Sequence, residues 1–233
     1  MCRVLGITRF NLEQHRPIIN RFCKLARSGM VMEEDPPGHE DGWGLAFYRG
    51  GNLVVHKSGL SLLDERDRLF TILEKEPTSP ALVLHLRKSA WTGTSNTRHA
   101  HPFHRGNTVF FHNGVVYDYQ ALLPQIGDIG LPDDARDTEI LFHHILSRKA
   151  DDLGQKFLRS AEIIQDGHRY SALNCLFSDG KKLYAYRDFT REEAYYALFR
   201  ARAAGSWLIS SEPLDENLNW ELMDKREFLQ IEL

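Results

Sequence analysis

No apolar run in this sequence approaches the roughly 18 to 20 residues that a membrane-spanning helix needs, so a soluble chain with no membrane partner is expected. Cysteine is scarce. The three present, Cys2, Cys23 and Cys175, are too few and too unevenly placed for a disulfide framework, and reduced thiols in the cytoplasm are expected. The opening residues, Met-Cys-Arg-Val-Leu-Gly-Ile-Thr-Arg, break their apolar stretch with charge and lack a secretory pattern. Neither sign of charge dominates: the formal net charge of -3 supplies no strong field for nucleic acid or an anionic membrane. Also missing are a Gly-rich phosphate loop, a Gly-x-Ser-x-Gly elbow and a Cys-x-x-Cys pair, which removes several enzyme classes. With no internal repeat, low-complexity tract or composition break either, one domain over residues 1–233 is expected.

What is present fits a globular protein with a full core, since 42% of residues are hydrophobic and 26% charged. Cys2 to Thr8 reads as a strand at the very start. Pro17 is placed to open a helix carrying Ile18, Ile19, Phe22, Leu25, Ala26 and Met30 at helical spacing. Leu45–Tyr48 and Leu53–Lys57, joined by Gly50-Gly51-Asn52, read as a hairpin. Leu69–Leu73 reads as a short helix, Ala81–Leu86 as a buried strand and Thr108–Phe111 as another. Asp137-Thr138 suits a helix N-cap, and Leu153–Ile164 a further helix. Strands are expected over Ser171–Phe177, Leu183–Tyr186, Tyr195–Phe199, Trp207–Ser210 and Phe228–Ile231. Strands toward both ends with helices between give an α+β class, in which two sheets could stack with helices outside.

Among candidates for chemistry, Cys2 stands out by position. Removal of Met1 would leave a thiol and a free α-amine on one residue, and an α-amine with a reference pKa of roughly 7.7 to 8.0 can serve as the base. Cys23 lies one helical turn after Ile19, and Cys175 alternates with Leu173 and Phe177; both read as core. His99, His101, His104 and His112 lie close in sequence and offer a metal-binding alternative. They lack a tight helical ligand motif such as His-Glu-x-x-His, so no metal is expected.

The opening Met1-Cys2-Arg3-Val4-Leu5-Gly6 resembles the class II glutamine amidotransferases, whose mature chains begin with a nucleophilic cysteine. The likeness continues through His39-Glu40-Asp41-Gly42-Trp43-Gly44, His85-Leu86-Arg87-Lys88-Ser89-Ala90, His101-Pro102-Phe103, Phe111-His112-Asn113-Gly114, Asp137-Thr138-Glu139 and Ser210-Ser211-Glu212-Pro213-Leu214. The Asp-Gly-Trp-Gly and Ser-Glu-Pro-Leu versions look like the stand-alone subgroup, which includes hydrolases of γ-glutamyl bonds. The resemblance implies a four-layer αββα fold of the N-terminal-nucleophile hydrolase type and no cofactor. It also implies Cys2 as nucleophile, with Asn113 and Gly114 donating to the oxyanion. Arg87 would bind the substrate α-carboxylate and Asp137 its α-ammonium, and His101 belongs to a loop near the pocket. The resemblance implies glutamine or a γ-glutamyl conjugate as substrate; with glutamine, a separate synthase chain could take the ammonia. One departure is the stretch Lys88-Ser89-Ala90-Trp91-Thr92-Gly93, a residue longer than the usual spacing to glycine. It leaves open which of Trp91, Thr92 and Gly93 faces substrate.

Overall fold

The computed structural model describes residues 2–233. The expected removal of Met1 falls outside the described residues. The strands are β1 (Arg3–Asn11), β2 (Trp43–Arg49), β3 (Asn52–Ser58), β4 (Thr78–Leu86), β5 (Phe103–Arg105), β6 (Thr108–Asn113), β7 (Asn174–Ser178), β8 (Lys182–Arg187), β9 (Phe199–Ala203), β10 (Ser206–Ser210), β11 (Glu221–Leu222) and β12 (Glu227–Glu232). The helices are α1 (Leu12–Ser28), α2 (Arg66–Lys75), α3 (Asp137–Ser147) and α4 (Leu153–Gly167), with a 3-10 segment over Tyr119–Gln125.

Two sheets form, in the orders β11-β9-β10-β1-β4-β2-β3 and β12-β8-β7-β6-β5, with antiparallel pairing throughout. Period-2 alternation sends successive side chains of each strand to opposite faces. From β1, Leu5 and Ile7 pack with Ile18, Ile19 and Phe22 of α1 and Leu69, Phe70 and Leu73 of α2. From β6 and β7, Phe110 and Phe177 pack with Phe142 of α3 and Phe157 of α4. The opposite faces meet each other: Val4, Val83 and Ala46 of the first sheet join Val109, Phe111 and Leu176 of the second. Three apolar interfaces between four layers make the expected αββα sandwich. The sheets approach closely at Gly6, where a Cβ would come within 2.4 Å of Leu176 Cδ2.

Several local expectations are corrected. Pro17 lies inside α1; the helix starts five residues earlier, where the Asn11 side chain accepts from Gln14 N at 3.2 Å. Asn-x-x-Gln was the signal for this start, and it outranked the proline. Met30 does not share the helix's buried face: α1 ends at Ser28 with Gly29 as its C-cap, and Met30 is exposed. Tyr195–Leu198 is buried but lies outside the strands, and β9 begins at Phe199. Buried Arg187 holds this segment instead, donating to the carbonyls of Tyr196 (3.2 Å), Glu193 (3.1 Å) and Met223 (2.7 Å). The hairpin forms as expected, with Gly50 and Gly51 both at positive φ (55° and 80°), which suits a two-residue turn. No helix of the described residues is long and apolar enough to cross a membrane.

Candidate active site

The same alternation that builds the inter-sheet core places the polar residues at its open end. Val83 of β4 faces the second sheet, so His85 and then Arg87 fall on that side as the strand runs out. Phe111 of β6 faces the first sheet, so Asn113 does too, while His112 turns toward α3. Val4 faces inward on β1, which puts Cys2 on the same side.

Cys2, Arg87, Lys88, Trp91, His101, Gly114 and Asp137 line one cleft of about 460 Å³. Cys2 is buried; its Sγ accepts from Lys88 N at 3.4 Å and lies 3.5 Å from Lys88 O, to which the thiol can donate. Asn113 stands behind it, its Nδ2 donating to Cys2 O at 3.0 Å and lying 3.4 Å from Ser211 Oγ. A carbonyl only accepts, so Nδ2 must face Cys2 and Oδ1 must face His85 Nε2, 3.2 Å away. His85 therefore carries its proton on Nε2, and His101 Nδ1, 3.0 Å from the same nitrogen, can only accept. Both rings are neutral: burial pushes His85 down to about 3 and His101 well below the ordinary histidine range. The result is a fixed chain from His101 through His85 and Asn113 to the backbone of Cys2.

Gly114 has no positive φ, so left-handed backbone freedom is not what this position requires. A Cβ there would come within 1.9 Å of Ala172 O and 2.5 Å of His112 Nε2. The glycine is required by the chain's own backbone crossing beside the cleft. Gly44 acts likewise for His101, whose carbonyl oxygen would lie 1.7 Å from an added Cβ. Backbone cannot yield as a side-chain tip can, so Gly44→Ala is expected to cost about 2 kcal/mol or more. It should also displace His101; lowered thermal stability together with lost turnover is the readout.

Arg87 and Asp137 supply the charges. Arg87 is buried and donates to Thr94 O (2.6 Å), Thr94 Oγ1 (2.8 Å) and Ser89 Oγ (3.1 Å). Asp41 holds the same loop, accepting from Ser89 N and from Ser95 Oγ, each at 2.8 Å. Asp137 is the first residue of α3, one place past the capping position, and makes no cap; its carboxylate turns into the cleft. It accepts from Trp91 Nε1 at 3.0 Å and Val116 N at 3.2 Å. Burial raises its carboxyl above the usual carboxylate range, opposed by His112 and by these hydrogen bonds. Among the described residues neither Arg87 nor Asp137 has an ion-pair partner, and the two do not pair with each other. Within the longer loop Trp91 lines the cleft, whereas Thr92 and Gly93 are exposed and do not.

Cys2, Arg87, Asp137, His101 and Gly114 thus converge, with Asn113 bonded to Cys2 from behind. His85 and His112 were missed as working residues. A histidine within the apolar run Ala81–Leu86, on the face opposite Leu84 and Leu86, was the signal for His85. His112 lies 3.0 Å from Ala172 O and 3.1 Å from Thr138 Oγ1, so its Nε2–H donates to the carbonyl and Nδ1 accepts from the hydroxyl. His99, His101, His104 and His112 do not gather as a ligand set. Among the described residues the group close enough to hold an ion is Cys2, His85 and His101, with one ligand atom from each within 4.8 Å of the others.

The family model for class II glutamine amidotransferases matches residues 1–204. An uncharacterized protein of Methanocaldococcus jannaschii is 29% identical over 230 residues, covering 94% of this chain but 59% of that protein's length. Among solved structures, the glutamine phosphoribosylpyrophosphate amidotransferase of B. subtilis, complexed with ADP and GMP, superposes with a TM-score of 0.71 at 18% identity. That match covers 99% of this chain and 47% of that one. A glutamine aminotransferase class-II domain protein from Silicibacter pomeroyi superposes with a TM-score of 0.66 at 21% identity, covering 100% of this chain and 95% of that one. Likeness at such identities speaks for the fold.

Proposed function

The chain belongs to the class II glutamine amidotransferases, and from that premise we propose that it cleaves the γ-glutamyl amide of glutamine or of a γ-glutamyl conjugate through Cys2. The αββα architecture is that of the N-terminal-nucleophile hydrolases. The observation that carries the reading is a pair of buried groups of opposite charge type, Arg87 and Asp137, hydrogen-bonded but with no ion-pair partner among the described residues, on a cleft that also holds a thiol. Burying an unpaired charge is costly, and an α-amino-acid head group satisfies both. Its carboxylate matches the planar guanidinium and its ammonium matches the carboxylate.

With the head group held, the γ-carbonyl lies over Sγ, and orientation lowers the entropic cost of attack. The α-amine of Cys2, freed by loss of Met1, takes the thiol proton, and sulfur adds to the carbonyl carbon. Asn113 Nδ2, exchanging its long 3.4 Å contact with Ser211 Oγ for the developing charge, and the Gly114 backbone N–H donate to the oxyanion. Collapse breaks the C–N bond, the proton passes from the amine to the leaving nitrogen, and a γ-glutamyl thioester remains. Water then hydrolyses the C–S bond, restoring the thiol and releasing glutamate.

The test is glutamate release from glutamine and γ-glutamyl amides by chain lacking Met1; no release from any of them overturns the proposal. Asn113→Ala is expected to lower kcat by about 100- to 1,000-fold, the cost of one oxyanion donor. KM should change far less, because Asn113 touches neither Arg87 nor Asp137.

A further inference from the structure

Cys2, His85 and His101 are all buried, and one ligand atom from each lies within 4.8 Å of the other two. They come from three separate segments: Cys2 precedes β1, His85 belongs to β4 and His101 precedes β5. Cleavage at Cys2 does not require this convergence. The reaction described above uses His85 only to fix Asn113 and gives His101 no step.

The two rings are in the state that a ligand role needs. Both are neutral, so neither has to lose a proton to coordinate. His85 donates from Nε2 toward Asn113 Oδ1, 3.2 Å away, which leaves Nδ1 as a bare lone pair. That Nδ1 is buried and has no hydrogen-bond partner among the described residues. A buried polar atom left unsatisfied calls for an explanation, and an ion is one. A histidine with one nitrogen bonded to an oxygen and the other bare is also the usual arrangement of a metal-ligating ring.

Geometry and donor type narrow the ion. Zinc holds sulfur at about 2.3 Å and nitrogen at about 2.0 to 2.1 Å, so tetrahedral ligands stand roughly 3.3 to 3.6 Å apart. Small side-chain rotations bring the three atoms from their present spread to that spacing. One thiolate and two imidazoles suit zinc, and a set without a carboxylate gives magnesium or calcium little to hold. Cys2 and His101 line the cleft, which supplies the ion's entry path, and His85 closes the set from behind. Arg87 on the same cleft works against a dication, so the negative thiolate is indispensable. Its proton leaves to solvent as the sulfur–metal bond forms. Once Cys2 begins the chain, its α-amine can take the fourth position and close a small chelate ring with the sulfur.

We propose that Cys2, His85 and His101 bind one zinc ion, with the Cys2 α-amine as fourth ligand, and that the bound ion holds the enzyme inactive by occupying nucleophile and base together. Ion binding stands on the three side chains alone, whereas inactivation rests on the reading of Cys2 as the nucleophile.

The experiment titrates the full chain, freed of Met1, with zinc and with cobalt as an optical probe, and follows glutamate release from glutamine in parallel. One equivalent is expected to bind, cobalt giving a thiolate-to-metal charge-transfer band. Zinc at about ten times its Kd should lower turnover about tenfold and shield Cys2 from iodoacetamide, and a chelator should reverse both effects. Cys2→Ser, nearly unchanged in shape, should lose the band. His101→Gln should weaken zinc binding by at least the roughly 10- to 100-fold that loss of an outer-shell partner costs. Thermal unfolding without metal reports whether each variant is folded, and a chain retaining Met1, its amine blocked, should also bind more weakly. Wild type that binds no zinc, or Cys2→Ser and His101→Gln that bind it as tightly as wild type, overturns the site, while glutamate release keeps the γ-glutamyl reading standing. Turnover unaffected with the cobalt band present overturns the inactivation and the nucleophile assignment together.

Discussion

Replacing Cys2 by alanine is expected to lower turnover of glutamine and γ-glutamyl amides by roughly 10⁴- to 10⁶-fold, the scale on which covalent enzymes lose their nucleophile. The fold should survive. The thiol's two contacts with Lys88, at 3.4 and 3.5 Å, are weak, and the β1 pairing to β4 begins at Arg3. Substrate should still bind, because Arg87 and Asp137 are untouched; calorimetry on the variant separates lost chemistry from lost binding. Cys23→Ala and Cys175→Ala make the contrast. Both thiols are buried in apolar layers, and burial pushes Cys23 up to about 12 and Cys175 well above the ordinary thiol range. Those variants should lose stability and keep their catalytic rate. Full activity in Cys2→Ala, or active enzyme whose intact mass retains Met1, would remove the nucleophile assignment.

Asp137→Asn is expected to lower kcat/KM by about 100- to 1,000-fold, mainly through KM, because a buried charge pair with the substrate ammonium is lost. A stability signature should accompany it. Burial raises the folded-state pKa of Asp137, so the folded chain holds that proton more tightly than the unfolded chain does. That contribution is fully present below the unfolded aspartate value of about 3.9 and is lost as pH rises through the raised folded value. His112 runs the other way: burial lowers its pKa, and its contribution is lost as pH falls through the depressed value. Denaturant titrations across pH should therefore show substrate-free wild type losing stability with rising pH relative to Asp137→Asn. Parallel curves would mean that Asp137 is not an unpaired buried acid.

Two of the site's charged residues show how sequence and tertiary structure divide the information. Arg87 ends an apolar run, and its inward direction follows from alternation with Val83 and His85, which is readable without coordinates. Asp137 precedes a helical pattern, where an aspartate ordinarily caps. The helix begins one residue earlier than a cap would allow, and Trp91, 46 positions away, claims the carboxylate. No local pattern encodes that contact. Similarly, Asn113-Gly114 reads as a turn, whereas the glycine is needed because Ala172 passes beside it.

Composition, apolar periodicity and the order of short motifs determined the class of fold, most strands and helices, and the residue types of the site. Those signals are local, and a period of 2 or 3.6 decides which face a side chain takes once its element exists. The meeting of Cys2 with Lys88 and Asn113, the proton placement on His85 and the gathering of His101 beside them depend on contacts between distant segments. They follow from how two sheets stack and where their inner faces open, and that is a property of packing alone.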